Sequence, residues 1–118
     1  MSALTWAGVA LLGGAGAVAR VVVDGAVAER ANGELPVGTL VVNLSGAFLL
    51  GFVAGVALSG DALLLAGTAT LGSYTTFSTW MLETQRLVEE GEGRVAAVNV
   101  GLSLAAGLAA VALGRAVG

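Results

Sequence analysis

Residues 67–83 decide the fold, and they read Gly67-Thr-Ala-Thr-Leu-Gly-Ser-Tyr-Thr-Thr-Phe-Ser-Thr-Trp-Met-Leu-Glu83. The run is dense in Gly, Ser and Thr, yet it lies within an otherwise apolar chain. A helix in lipid normally avoids such a run, because every freed main-chain group needs a partner and hydrocarbon offers none. Interrupted helices occur in membranes where they meet other protein or line a wet cavity. The stretch therefore predicts a pathway or an ion site inside a membrane protein.

The composition around this stretch is that of an integral membrane protein. The chain has 118 residues, of which 57% are hydrophobic and 11% are charged, and its mean hydropathy is +0.93. Soluble domains carry roughly 25% charged residues. The absence of Cys and His excludes disulfides, thiol and imidazole catalysis and the usual transition-metal ligands. A net charge of −3 argues against nucleic acid as a partner.

Four apolar runs predict four transmembrane helices in a single domain that covers residues 1–118. The runs lie at about Leu4–Val23, Val37–Leu58, Ala62–Val88 and Arg94–Val117, and each reaches the ~20 residues that cross a bilayer core. The first run lacks the basic flank of a signal peptide, so we treat it as a mature helix. Pro36 suits the start of the second helix, where its missing N–H costs nothing.

Small residues recur four apart in two of the predicted helices. They are Ala47, Gly51 and Gly55 in the second helix, and Ser103, Gly107 and Val111 in the fourth. This spacing allows close approach of helix backbones. Because four helices can hardly enclose a pore while burying such stripes, we expect an oligomer.

Two polar residues in the first two predicted helices each have two interpretations. Asn43 lies mid-span, where its carboxamide either joins helices or donates to a dehydrated anion. Arg20 lies near the end of the first span, where it either extends to the interface or attracts anions to a vestibule.

The third span carries a polar track and an aromatic pair. Thr76, Thr79 and Glu83 are spaced to share one helical face, and Phe77 and Trp80 share the neighbouring face. Aromatic residues at this spacing usually belong to a core, but their ring edges are also positive and suit a bare anion.

Hydrogen-bond donors dominate the polar residues of the predicted spans. The fourth span adds Asn99 and Ser103 on one face, either as helix contacts or as further donors. A cation pathway is expected to show acidic rings or facing carbonyls. The excess of amide, hydroxyl and guanidinium donors instead favours a small, strongly hydrated anion.

Three segments resemble the Fluc/CrcB fluoride channels. Residues 72–83 resemble that family's Gly-Gly-x-Thr-Thr-Phe-Ser-Thr-Phe signature followed by Glu. Gly13-Gly-Ala-Gly-Ala-Val-Ala-Arg20 is similar to its Gly-rich first helix, and Pro36-Val-Gly-Thr-Leu-Val-Val-Asn43 to its second-helix motif. The resemblance covers the whole chain in order.

The resemblance implies a multi-pass protein of the cytoplasmic membrane, an antiparallel dual-topology dimer with two pores that passively exports fluoride. Carried over residue by residue, it implies that Asn43 lines a pore and that Phe77 offers its ring edge to the ion. Arg20 would stand near the vestibule. The remaining pore positions would be Thr79, Trp80, Glu83 and Ser103.

The resemblance also implies a structural sodium ion at the dimer centre. Its ligands would be the main-chain carbonyls of Gly72 and Thr75, at a break in the third helix. Two residues depart from the family pattern, because Trp80 stands where Phe is usual and Ser73 replaces the second Gly.

Other protein classes fit the sequence less well. A small proton-coupled multidrug exporter has similar length, but it needs a carboxylate in its first span, and the predicted first span has none. A membrane scaffold would leave the Thr, Ser and Asn track unexplained, and no nucleophile–base set indicates an enzyme.

The arginines bear on how the chain is oriented in the membrane. Arg20, Arg30, Arg86 and Arg94 lie toward one side and Arg115 toward the other. We discount Arg20 as a residue inside the fold, and the remaining three against one is a small bias under the positive-inside rule. The homodimer is therefore the leading expectation, and a fixed-topology subunit paired with a paralogue is the alternative.

Overall fold

A computed structural model describes all residues from Met1 to Gly118, and every regular element in it is helical. In chain order the elements are α1 (Ala3–Arg30), α2 (Val37–Gly55), α3 (Gly60–Leu63), a π-helix (Leu64–Leu71), α4 (Gly72–Tyr74), α5 (Ser78–Glu89) and α6 (Gly93–Val117).

Helix α1 is longer than the apolar pattern predicted. It has 28 residues and continues from the expected end at Val23 to Arg30, so Asp24 and Glu29 belong to the same helix. The added residues include good helix formers such as Ala, Glu and Arg. The charges of Glu and Arg are compatible with a helix end that has left the hydrocarbon. At 1.5 Å per residue the helix measures about 42 Å, which exceeds the ~30 Å apolar core of a bilayer.

Helices α2 and α6 form the tightest contact of the fold and run in the same direction. Gly51 packs against the carbonyl of Val111, and Gly114 packs against the carbonyl of Phe48. A Cβ atom at either glycine would collide with main chain, so the small residues permit this approach. The predicted stripe on α2 is thus used for packing, whereas Gly107 of the second stripe faces open space.

The segment between α2 and α6 is divided into two halves. The first half comprises α3, the π-helix and α4, and the second half is α5. Thr75 adopts an extended conformation with φ −80° and ψ 159°, and helix resumes only at Ser78. The helix is therefore interrupted as expected, but at residues 75–77. Gly72 is itself helical, with φ −62° and ψ −36°, so the break does not use glycine's conformational freedom.

The contacts fix the direction of the two halves. Along α1, Gly8 meets Leu65 and Gly16 meets Thr70, so α1 and the first half run parallel. Near the end of α5, Thr84 meets Asn99 of α6 across the short turn at 90–92, so those two helices run antiparallel. The broken segment thus runs opposite to α2 and α6.

The burial pattern is that of a protein surrounded by lipid or by other protein. Only 14 of 118 residues are buried, and many large apolar side chains are exposed. The helices α1, α2 and α6 are each long and apolar enough to cross a membrane. The chain is therefore a multi-pass membrane protein. The third predicted span is divided by its interruption, and its second half, α5, has 12 residues.

Candidate ion site at the broken helix

The carboxamide of Asn43 bridges the break in the main chain. Its Nδ2 donates to the carbonyl of Thr76 at 2.8 Å, and its Oδ1 accepts from the N–H of Thr76 at 2.8 Å. A side-chain amide has the same donor and acceptor as a peptide, so Asn43 replaces the helical partners that Thr76 has lost. This arrangement satisfies main-chain groups that lipid cannot satisfy.

The Thr76 side chain starts the second half of the helix. Its Oγ1 accepts from the N–H of Thr79 at 3.2 Å and also lies 3.2 Å from the Thr79 hydroxyl. A threonine hydroxyl that accepts an early N–H is the usual way to begin a helix. Thr76 and Thr79 are therefore brought together as their spacing predicted, although Thr76 lies in the break rather than on a helix.

Helix α2 also holds the first half of the segment at the break. Gly46 packs against the methyl group of Thr75 and against the ring of Tyr74. The Tyr74 hydroxyl lies 2.9 Å from Oγ of Ser45. These contacts leave no room for a side chain at residue 46, and they fix the position at which the chain leaves α4.

Three carbonyls at the break lack the partner that a continuous helix would give them. The N–H of Thr76 bonds to Asn43 and the N–H of Thr79 bonds to Thr76, so neither donates four residues back. The N–H of Phe77 donates to no main-chain carbonyl. The carbonyls of Gly72, Ser73 and Thr75 are consequently free of these bonds.

A groove of about 300 Å³ opens beside the bridge between Asn43 and Thr76. Phe77 is 70% exposed and meets Trp80 edge to face, with ring centroids 5.8 Å apart and planes at 73°. The predicted aromatic pair is therefore in contact. The groove is lined by Asn43, Ala47, Leu50, Thr75, Thr76, Phe77, Trp80 and Val111.

Two residues that line this groove carry N–H groups without acceptors. Asn43 uses one N–H for Thr76 and retains a second. The indole nitrogen of Trp80 is buried and has no hydrogen-bond partner. The hydroxyl of Thr75 is already used, since it donates to the carbonyl of Leu71 at 3.1 Å. The two unpaired N–H groups suit an anion.

A second cavity of about 300 Å³ lies at one end of the molecule and contains Glu83. Its charged lining consists of Asp24, Glu34, Glu83, Arg86 and Glu90. One carboxylate oxygen of Glu83 is buried without a hydrogen-bond partner, as is the hydroxyl of the 2% exposed Thr39. Glu83 therefore lies at the cavity end of the track that begins at Thr76.

The remaining predicted residues lie outside both spaces. Arg20 and Ser103 are half-buried and line neither the groove nor the end cavity, so their roles stay predictions. Asn99 is 1% exposed, and its Nδ2 donates to Oγ1 of Thr84 at 2.9 Å, which favours the helix-contact interpretation. Thr84 in turn donates to the Trp80 carbonyl at 2.8 Å.

Sequence reasoning missed the role of the Thr76 main chain and the links made by Ser45 and Thr84. Asn43 signalled a polar contact, but no spacing rule joins residue 43 to residue 76.

The chain is similar to known proteins over nearly its full length. A family model described as CrcB-like protein, Camphor Resistance (CrcB), matches residues 7–115. A protein of Mycolicibacterium paratuberculosis named fluoride-specific ion channel FluC 2 is 64% identical over 93% of this chain and 90% of its own length. A protein of the same name from Mycobacterium tuberculosis is 56% identical over 93% of this chain and 87% of its own length. The chain belongs to the CrcB family.

Proposed function

We propose that this chain forms a passive, fluoride-selective ion channel that exports fluoride across the cytoplasmic membrane. The observation that carries the proposal is the groove at the broken helix, where Asn43 and Trp80 offer N–H groups that have no acceptor in the chain. Fluoride is small and strongly hydrated, so a path for it must replace water with fixed donors. The names of the FluC relatives support the same ion.

The path begins in the groove and continues along α5. Asn43 donates to the ion, and the ring edge of Phe77 contacts it where the ion has lost water. The hydroxyls of Thr76 and Thr79 then lead to Glu83 and the end cavity. Ser103 adds a hydroxyl from α6, and Arg20 supplies positive charge at the vestibule.

Four membrane crossings and an antiparallel, dual-topology dimer complete the channel. The parallel course of α2 and α6 supports a single return crossing by the broken segment, with α5 as its second half. The exposure of Phe77 and of the apolar faces supports contact with a second copy. Such a copy would close the groove, which a single chain leaves open.

A structural sodium ion at the dimer centre fits the break. The main-chain carbonyls of Gly72 and Thr75 lack their helical partners, and a hard cation is one way to satisfy carbonyl oxygens inside a membrane. In an antiparallel dimer the two breaks would meet at the centre, and the four carbonyls would bind one ion.

A heterodimer is the alternative assembly. Symbiobacterium thermophilum has two proteins, named FluC 1 and FluC 2, that are 38% and 43% identical to this chain. Paired genes of this kind are compatible with two fixed-topology subunits. The family assignment, in contrast, leaves no support for a proton-coupled multidrug exporter.

The decisive experiment measures anion efflux from liposomes that contain this chain alone. The liposomes are loaded with potassium fluoride, and valinomycin carries the compensating potassium. Rapid fluoride release, with chloride-loaded liposomes as the control, supports the channel and the homodimer together. Fluoride release only after a paralogue is added supports the heterodimer, and no release with either contradicts the function.

A further inference from the structure

The indole of Trp80 is held from its backbone side by a chain of hydrogen bonds. Asn99 donates to Thr84 at 2.9 Å, and Thr84 donates to the carbonyl of Trp80 at 2.8 Å. Asn99 is 1% exposed, and its bond to Thr84 fixes α5 against α6 one turn from Trp80. The Trp80 side chain is thereby placed beside Phe77 and Asn43.

The indole end of the Trp80 side chain has no hydrogen-bond partner. The indole N–H is buried and has no acceptor in the chain, which costs free energy that a Phe at this position would not cost. The ring contacts Phe77 edge to face, with 5.8 Å between the ring centroids. The groove beside it offers the second, unused N–H of Asn43.

We propose that the Trp80 indole N–H is a direct hydrogen-bond donor to the permeating anion. This inference rests on the proposed function and adds to it a ligand that ring-edge contact alone does not provide. When an anion enters the groove, the indole turns so that its N–H and the free N–H of Asn43 bind the same ion. The new hydrogen bond offsets the free-energy cost of the buried, unpaired N–H and therefore favours the ion-bound arrangement.

The proposal predicts a preference for small, strongly basic anions. Fluoride accepts shorter and stronger hydrogen bonds than chloride because its charge is concentrated in a smaller volume. Two N–H donors bound to one ion in a groove of about 300 Å³ would therefore discriminate by hydrogen-bond strength as well as by size. A Phe in place of Trp80 keeps the aromatic contact and loses this second source of selectivity.

The direct test follows the indole N–H signals of the purified protein by nuclear magnetic resonance. The chain has two tryptophans, and Trp6 is 61% exposed near the start of α1, far along the chain from the groove. The Trp6→Phe variant leaves Trp80 as the single reporter, and the spectrum of the unmodified protein supplies Trp6 as an internal control. Sodium fluoride and sodium chloride are titrated separately.

We expect fluoride to move the Trp80 indole proton to lower field in a saturable manner, while chloride at the same concentration and the Trp6 signal show no such change. A Trp80 signal that fluoride leaves unmoved, in protein that releases fluoride from liposomes, overturns the proposal and leaves the channel function intact. Protein that releases no fluoride at all contradicts the function instead.

A second test uses Trp80→Phe in liposomes. Loss of a hydrogen bond to an ion should raise the fluoride concentration for half-maximal flux by about tenfold or more, while Trp6→Phe leaves it unchanged. A Trp80→Phe protein with the original half-saturation and the original fluoride-to-chloride ratio contradicts the proposal. The variant retains the contact with Phe77, so folding is expected to survive the change.

Discussion

Replacement of Asn43 tests the bridge across the broken helix most sharply. In Asn43→Ala both hydrogen bonds of 2.8 Å to Thr76 are lost, and the N–H and carbonyl of Thr76 remain without partners. Each unsatisfied buried group costs about 1–3 kcal/mol, so we expect a loss of about 2–6 kcal/mol in the free energy of unfolding. The break should lose its fixed geometry, and fluoride flux should fall with it.

Asn43→Asp separates the structural from the conducting role. The carboxylate still accepts from the N–H of Thr76, but it faces the Thr76 carbonyl without a donor and places negative charge in the anion's path. We expect fluoride flux to be abolished even in protein that remains folded. The assays are fluoride efflux from liposomes and the midpoint of thermal unfolding in detergent.

Ser45→Ala is the matched control for both variants. Ser45 lies on the same helix and contacts Tyr74 at 2.9 Å, but it does not line the groove. Its loss should cost about 0.5–1.5 kcal/mol and leave fluoride selectivity unchanged. Folded Asn43→Asp protein with the flux of the unmodified chain would refute the assignment of Asn43 to the path.

Three further changes test other parts of the structure. Phe77→Ile should strongly reduce fluoride flux by removing the ring edge. It should change the free energy of unfolding by only about 0.5 kcal/mol, since the side chain is 70% exposed. Unchanged flux in a transport assay contradicts the role of Phe77. Gly114→Ala should destabilise the protein by about 1–3 kcal/mol, because the new methyl group meets the Phe48 carbonyl. Gly107→Ala, which faces open space, is its control, and equal thermal midpoints for the two contradict the α2–α6 contact. Asn99→Leu should lower the thermal midpoint by leaving Thr84 unpaired toward α6, and an unchanged midpoint contradicts that contact.

Much of the fold follows from the sequence because membrane helices satisfy their own main chain. The apolar runs located α2 and α6 within a few residues, and Pro36 marked the start of α2. The Gly, Ser and Thr run likewise indicated an interruption, because few other arrangements tolerate it in lipid. The predicted end of α1 was wrong by seven residues, since hydropathy marks where a helix leaves the hydrocarbon and not where the helix ends.

The details of the break depended on partners that are distant in sequence. Gly72 was predicted to lie at the break in the third helix, yet it has a helical conformation. The main chain leaves the helical conformation only at Thr75. The departure occurs there because Asn43, 33 residues earlier, supplies both bonds that Thr76 needs. The π-helix at Leu64–Leu71, which packs against α1, also had no signal in the sequence pattern.

A bi-ionic measurement across a planar bilayer tests the central claim most directly. Purified protein is incorporated with sodium fluoride on one side and an equal concentration of sodium chloride on the other, and the voltage of zero current is recorded. Our account predicts a current whose reversal potential is set by fluoride and shifts with fluoride concentration but not with chloride. A reversal potential near zero would contradict it, because equal passage of both anions gives that value, and so does conduction of sodium, whose concentration is equal on the two sides.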